Sequence, residues 1–218
     1  MYPGVHATET PDKLAYRIAE SGASVTYREL EERSNRAAHL FRSLGLKRGD
    51  HIALCMENHE EFFIVCWGAQ RAGLYYTAIS SRLTAPEVEY IVDDCGAKAL
   101  VVSRGRYDVA AELQDRCPAL VGRFGVDGAA PGVDDWSAAC GKQPATPIAD
   151  ESEGAPMLYS SGTTGRPKGV MYTHRGAAIN ALGEIVVHKL ERDSVFLWTL
   201  PLFHCNGWCF PWAVTAAG

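Results

Sequence analysis

Between Ser160 and Gly169 the chain places two serines, two threonines, three glycines and one lysine, and the stretch from residue 158 reads LYSSGTTGRPKGV. Each of these residue types can serve an anion. Glycines let successive backbone N–H groups converge on one point, and serine and threonine hydroxyls can turn their hydrogens toward the same oxygens. A lysine adds a mobile positive charge, so the set fits a polyphosphate. A flexible Gly/Ser linker is the plain alternative. It leaves Pro167 and Lys168, followed directly by an apolar strand signal, without a reason. Spacing excludes a Walker A loop: Pro167 stands five residues after Gly162 where that pattern needs glycine, and Lys168 precedes Gly169 rather than serine or threonine. The stretch is no dinucleotide fingerprint either.

A second group with chemical capacity reads LPLFHCNGWCFPW over residues 200–212. His204 follows Phe203 and can donate or accept a proton near neutral pH, but a lone histidine is equally a satisfied core residue. With Cys205 and Cys209 it offers metal-ligand types, yet no second ligand cluster stands at metal-site spacing, so no metal site is expected. Trp208, Phe210 and Trp212 suit an apolar pocket wall and equally a core.

These residues must be positioned by a scaffold, and the first half of the chain spells one out. Thr26 and Glu29 form a capping box ahead of Leu30, Ala37, Ala38, Phe41 and Leu44 at helical spacing, and Gly45 ends the run. The charged set Arg28, Glu31, Glu32, Arg33 and Arg36 on that helix reads as a solvated face. HIALCM then reads as a strand, 59–72 as a helix ending at Gly73, and YYTAI as a strand. Thr84 and Glu87 form a second capping box with Pro86, leading to a helix that ends near Gly96. AKALVVS is a strand, 106–116 a helix and 121–126 a strand. The alternation predicts an α/β fold with mainly parallel sheets flanked by helices. Residues 127–154 shift to Gly, Pro, Ala and Asp and predict an irregular connection anchored by Trp136, between a first lobe at 1–126 and the start of a second at 155–218. Within that second part, 155–159 reads as a strand, 160–169 as a loop, 170–173 as a strand, 176–187 as a helix and 195–200 as a strand.

Composition bounds the rest. With 218 residues, 47% of them hydrophobic, the chain can bury a substantial core. Its net charge of -5, with basic residues scattered, argues against nucleic acid as a partner. Seven cysteines without a Cys-x-x-Cys pair, mostly in apolar stretches, suggest reduced thiols and a cytoplasmic protein. No run is long enough to predict a transmembrane segment.

The residues YSSGTTGRPKGV resemble the phosphate-binding signature of the adenylate-forming superfamily, which includes AMP-forming acyl-CoA synthetases, beetle luciferases and the adenylation domains of peptide synthetases. The match covers every position from Ser161 to Gly169. The 200–212 stretch resembles a second segment of that family, in which an aromatic-histidine pair borders the acyl pocket and a later tryptophan gates the acyl tunnel. More loosely, TYRELEERSNRAAHLFRSLGLKRGD resembles the opening of the same fold.

This resemblance implies ATP-dependent activation of a carboxylic acid, a fatty acid first among the candidates, to an acyl-adenylate and then an acyl-CoA, with ATP, Mg2+ and coenzyme A taking part. It implies that Ser161, Gly162, Thr163, Thr164, Gly165, Lys168 and Gly169 bind the ATP phosphates. His204 would stand beside the reacting carboxylate as the catalytic residue, with Phe203 and Trp208 at the acyl pocket or gate. An aryl or short-chain acid ligase and a non-catalytic remnant are the alternatives. The family's Tyr-Gly-x-Thr-Glu and Tyr-x-Thr-Gly-Asp segments and its mobile C-terminal lid domain do not occur in these residues. The expectation is therefore an incomplete N-terminal domain of the adenylate-forming fold, inactive alone, with exposed apolar faces where its sheet is cut.

Overall fold

The computed structural model describes residues 3–160, 165–204 and 209–218. In chain order the elements are α1 (Gly4–Glu9), β1 (Leu14–Arg17), β2 (Ser24–Thr26), α2 (Tyr27–Ser43), β3 (His51–Cys55), α3 (Glu61–Arg71), β4 (Tyr75–Ile79), α4 (Ala85–Cys95), β5 (Ala97–Val102) and α5 (Tyr107–Glu112). They continue with β6 (Gly122–Gly125), β7 (Asp134–Asp135), α6 (Trp136–Gly141), β8 (Ala155–Ser160), β9 (Lys168–Met171), α7 (His174–His188) and α8 (Cys209–Ala217). Among the described residues, seven strands form one sheet in the order β7-β6-β5-β3-β4-β8-β9, and only the β8–β9 pair is antiparallel. The α/β fold with a mainly parallel sheet is thus the one expected.

Period-two alternation divides the core between the two faces. Ile52 and Leu54 of β3, Ala99 and Val101 of β5 and Leu158 of β8 join α2 and α3 in one cluster. Ala53 and Cys55, Leu100 and Val102, and Met157 join α4 and α5 in the other. The helices that follow β3 and β4 therefore lie on opposite faces of the sheet, the arrangement that opens a crevice at the carboxyl ends of strands.

Both capping boxes form. The Thr26 amide donates to Glu29 Oε2 at 2.8 Å, and the Thr84 amide to Glu87 Oε2 at 2.8 Å. Helices α2 and α3 pack closely because Gly68 faces Ala37; a Cβ on Gly68 would stand 2.5 Å from the Ala37 Cβ.

Several elements differ from expectation. The 127–154 stretch carries β7 and α6, and β8 pairs directly with β4, so the sheet runs on across it. Its anchor, Trp136, is buried and donates from Nε1 to Glu61 Oε2 at 3.0 Å. The charged face of α2 is not simply solvated, because it meets α3 and this stretch. Glu31 pairs with the buried Arg71 at 2.6 Å, Arg33 with Glu61, and Arg36 binds the Gln143 carbonyl. The helix expected over 106–116 forms only as the short α5, Tyr107–Glu112, preceded by a 3-10 turn at Arg104–Arg106. Residues 195–200 form no strand: no described strand lies beside them to complete a ladder, and Val195 is 98% exposed. The β1–β2 hairpin, α1 and α8 had no strong pattern to announce them.

The apolar faces expected to be exposed are found on β9 and α7, where Val170, Met171, Ile179, Leu182, Val186 and Val187 all face solvent. Five cysteines, 55, 66, 95, 117 and 140, are free and buried. Burial pushes the Cys55 and Cys95 thiols up to about 11, which keeps them protonated and unreactive. Among the described residues no helix is long and apolar enough to cross a membrane.

Candidate phosphate-binding hairpin and the 200–204 segment

The described residues on either side of the glycine- and hydroxyl-rich stretch form the two strands of a β-hairpin. β8 ends at Ser160 and β9 starts at Lys168, with Ser160 opposite Lys168, Tyr159 opposite Gly169 and Leu158 opposite Val170. Lys168 and Gly169, expected in the loop, therefore begin the return strand. Ser161, Gly162, Thr163 and Thr164 lie outside the described residues.

Gly165 has φ +140°, a backbone region that side chains strain to adopt, which accounts for glycine at that point. Lys168 is exposed, and its side chain makes no hydrogen bond or ion pair with another described residue. At Gly169 a Cβ would stand 3.1 Å from the Met157 sulfur and 3.3 Å from Tyr159 Cζ, so the absent side chain leaves room for the Tyr159 ring across the strand.

Helix α4 touches this hairpin at two points. Tyr90 Oη donates to the Pro167 carbonyl at 3.0 Å, and the Arg166 guanidinium lies 5.2 Å from the centre of the Tyr90 ring. Tyr159 Oη donates to Asp94 Oδ2 at 2.5 Å. Burial first, and then that bond to Asp94, holds the Tyr159 hydroxyl above the ordinary tyrosine range.

The second predicted group is anchored at the end of β3. Asn58 Nδ2 donates to the Leu200 carbonyl at 3.0 Å, and its Oδ1 accepts from the Leu202 amide at 2.8 Å. Leu202 is 4% exposed and pins the segment to the core. Phe203 packs partly against the same cluster, and His204 is exposed with its amide donating to the Pro201 carbonyl at 3.1 Å. Trp208 and Cys205 lie outside the described residues. The other two aromatics pack: Trp212 is buried, and Phe210 stacks on Phe196 with ring centres 4.3 Å apart.

Both groups stand at the carboxyl ends of parallel strands, since β3 runs parallel to β4 and β4 to β8. That is the end of an α/β sheet where ligands bind. Three contributors escaped the sequence reading: Tyr90, Asp94 and Asn58. Tyr90 and Asp94 are four residues apart on α4, at the border of its apolar stripe, which is a signal of shared facing but not of what they face. Asn58 is separated from its partners by 142 and 144 residues, and no local pattern marks it.

A mainly parallel sheet with the lysine-bearing β8–β9 hairpin at the carboxyl ends of its strands defines a protein of the α/β class. The chain belongs to the AMP-binding enzyme family, whose sequence model matches residues 5–218. Among curated relatives, it is 33% identical over 187 residues to 4-hydroxybutyrate-CoA ligase 2 of Metallosphaera sedula, covering 80% of this chain and 34% of that protein. It is 32% identical over 215 residues to the crotonobetaine/carnitine-CoA ligase of a Proteus species, covering 92% of this chain and 41% of the other. Among solved structures, the fatty acyl CoA synthetase of Mycobacterium tuberculosis superposes with a TM-score of 0.82 at 26% identity, covering 99% of this chain and 42% of that one. The chain thus spans between a third and about two fifths of the length of these relatives.

Proposed function

We propose that this chain supplies the triphosphate-binding hairpin and part of the acid-binding wall of an AMP-forming acid-CoA ligase. The observation that supports this reading is the hairpin itself: Lys168, exposed and opposite Ser160, begins the strand that follows the hydroxyl-rich residues 161–164 in the sequence. A carboxylate resists nucleophiles because of its charge and lacks a good leaving group. In the proposed reaction its oxygen attacks the α-phosphorus of ATP, and the bond from that phosphorus to the bridging oxygen breaks. Pyrophosphate departs with the electron pair. The sulfur of coenzyme A then attacks the acyl carbon, AMP leaves, and the thiol proton passes to solvent.

In this scheme Ser161, Thr163, Thr164 and Lys168 hold the β- and γ-phosphates, and Gly162, Gly165 and Gly169 allow the backbone to approach. Their contribution is positioning and charge stabilisation. His204 orients the carboxylate or the adenylate, and Phe203 and Trp208 border the acyl group. Mg2+, when bound, neutralises charge on the phosphate oxygens. Among the described residues no group of three or more His, Cys, Asp or Glu side chains is placed to hold it.

For the acid we favour a hydrophobic acyl group, with a fatty acid first, on the strength of the aromatic 200–212 segment. The relatives' names span polar and apolar acids, so this choice rests on that segment alone. The buried free thiols suit a reducing compartment such as the cytoplasm. We assign turnover to a polypeptide of the relatives' length.

Calorimetry of the 218-residue chain with ATP and with AMP tests the reading. The expected result is a preference for ATP that falls by at least about tenfold in Lys168→Ala, since loss of such a charged donor costs about 1.5–3 kcal/mol in a ground-state complex. Equal affinity in wild type and variant would overturn the phosphate assignment. Acid-dependent ATP-pyrophosphate exchange by this chain alone, abolished in Lys168→Ala, would overturn the assignment of turnover to a longer polypeptide.

A further inference from the structure

We propose that Tyr90 and Asp94 of α4 form a two-point clamp on the β8–β9 hairpin, and that they are positioning residues for the polyphosphate Lys168 would meet. The inference rests on the phosphate-binding reading above.

The two side chains are one helical turn apart and so share a face of α4. One holds the return side of the hairpin: the Tyr90 hydroxyl binds the carbonyl of Pro167, the residue immediately before Lys168. The other holds the outgoing side: Asp94 binds the hydroxyl of Tyr159, the residue immediately before Ser160. Because Ser160 and Lys168 are opposite one another, the pair at the base of the loop stands between both anchor points.

The geometry around the clamp is built for it. Tyr159 lies across from Gly169, where the absent side chain leaves room for its ring. The Arg166 guanidinium covers the Tyr90 ring, adding a cation-aromatic contact on the same side. β9 is exposed at all four residues, and its described contacts with the rest of the sheet run through β8 alone. An edge strand held only by its ladder would let the long lysine side chain wander. Misplacing a catalytic group by about 1 Å costs on the order of 100-fold in rate, so fixing its root has a function beyond stability.

The test titrates inorganic pyrophosphate into the 218-residue chain, comparing wild type with Lys168→Ala, Tyr90→Phe, Tyr159→Phe and the Tyr90→Phe/Lys168→Ala double variant. Each phenylalanine keeps the ring and removes only the hydroxyl. Each tyrosine variant should weaken pyrophosphate binding about three- to tenfold, the range for one hydrogen bond. Thermal unfolding midpoints should stay within about 4 °C of wild type. In the Lys168→Ala background the Tyr90→Phe change should have no further effect on affinity, the non-additivity that marks two residues acting on one ligand contact.

Binding that is lost in Lys168→Ala but unchanged in both tyrosine variants would overturn the clamp and leave the phosphate reading standing. A Tyr90→Phe loss that persists in full in the Lys168→Ala background would reduce Tyr90 to a structural part and also overturn it. Absence of pyrophosphate binding by wild type, or binding indifferent to Lys168→Ala, would overturn the phosphate reading and the clamp together.

Discussion

Asn58→Ala should loosen the segment that carries Phe203 and His204 while leaving the sheet intact. The asparagine makes two bonds to it, donating to the Leu200 carbonyl at 3.0 Å and accepting from the Leu202 amide at 2.8 Å. A protein hydrogen bond is worth about 0.5–1.5 kcal/mol net, so losing both removes about 1–3 kcal/mol of local stability. That range corresponds to a rise of about 5- to 150-fold in the rate at which the segment opens to exchange. Asn58 is itself exposed, which lets water replace part of what is lost, and Leu202 stays packed in the core. The lower half of the range is therefore expected. Hydrogen exchange at the Leu202 amide reads the effect directly, because that amide is one of the two donors involved.

The amides of Ile52 and Leu54 in β3 serve as the internal reference, since they sit in the central ladder. They should exchange as in wild type. Asn58→Asp is the informative second variant: it keeps an acceptor for the Leu202 amide but sets a carboxylate oxygen against the Leu200 carbonyl. Its Leu202 amide should be better protected than in Asn58→Ala. If Leu202 exchange in Asn58→Ala stays within about twofold of wild type, the segment is held by Leu202 packing and the anchoring argument is wrong. If the β3 amides accelerate in parallel, the effect is global and the argument fails as well.

Arg71→Ala should cost about 3 kcal/mol in chemical denaturation, because its side chain is 1% exposed and its removal takes from the partly buried Glu31 carboxylate the cation that it meets at 2.6 Å, leaving it the Asn35 amide at 3.1 Å. A loss below about 1 kcal/mol would mean that water already screens this network. Acid should weaken α2 through Glu29, whose carboxyl is held below the ordinary glutamate value of 4.5 by the Thr26 amide first and the Thr26 hydroxyl second. A depressed acid contributes stability that is present above its unfolded value and lost as pH falls through the folded one. Thermal unfolding followed from neutral pH downward should therefore fall in that window, and Glu29→Gln, which can keep the capping box without titrating, should flatten the fall by a few tenths of a kcal/mol. An acid arm identical in the variant would remove Glu29 from the account.

The parts of the fold that were legible in the sequence are those whose cause is local. Capping boxes at Thr26 and Thr84 and the short apolar runs of β3 and β5 act over a few residues, and each formed where expected. Residues 195–200 show the limit of that logic. VFLWTL has strand composition, but strand preference is a fit to a pleated, half-buried surface, and no neighbouring strand is described there to supply one. The α2 charges misled for a related reason. Spacing shows that Glu31 and Arg33 lie on the polar side of the helix, whereas only the tertiary fold brings Arg71 and Glu61 up to meet them. The hydroxyls and glycines of the hairpin were readable as an anion site because that chemistry is carried within ten residues. What braces the hairpin comes from a helix 77 residues earlier.

The two halves of the candidate site are therefore held by different devices at one end of one sheet. α4 grips the hairpin from the face on which Met157 and Tyr159 point, while Asn58 ties down the 200–204 segment from the end of β3. Neither device touches the other's partner, and the distance between the two halves is set instead by the ladder β3-β4-β8. β4 and β8 share only the pairs Tyr75 with Ala155 and Tyr76 with Pro156, at the end of β8 remote from the loop. Beyond that point β8 leans on β9 and on α4. Loss of the α4 contacts would thus release the hairpin stem where its parallel pairing has already ended, which is why the clamp bears on the geometry of both groups and not only on the loop it touches.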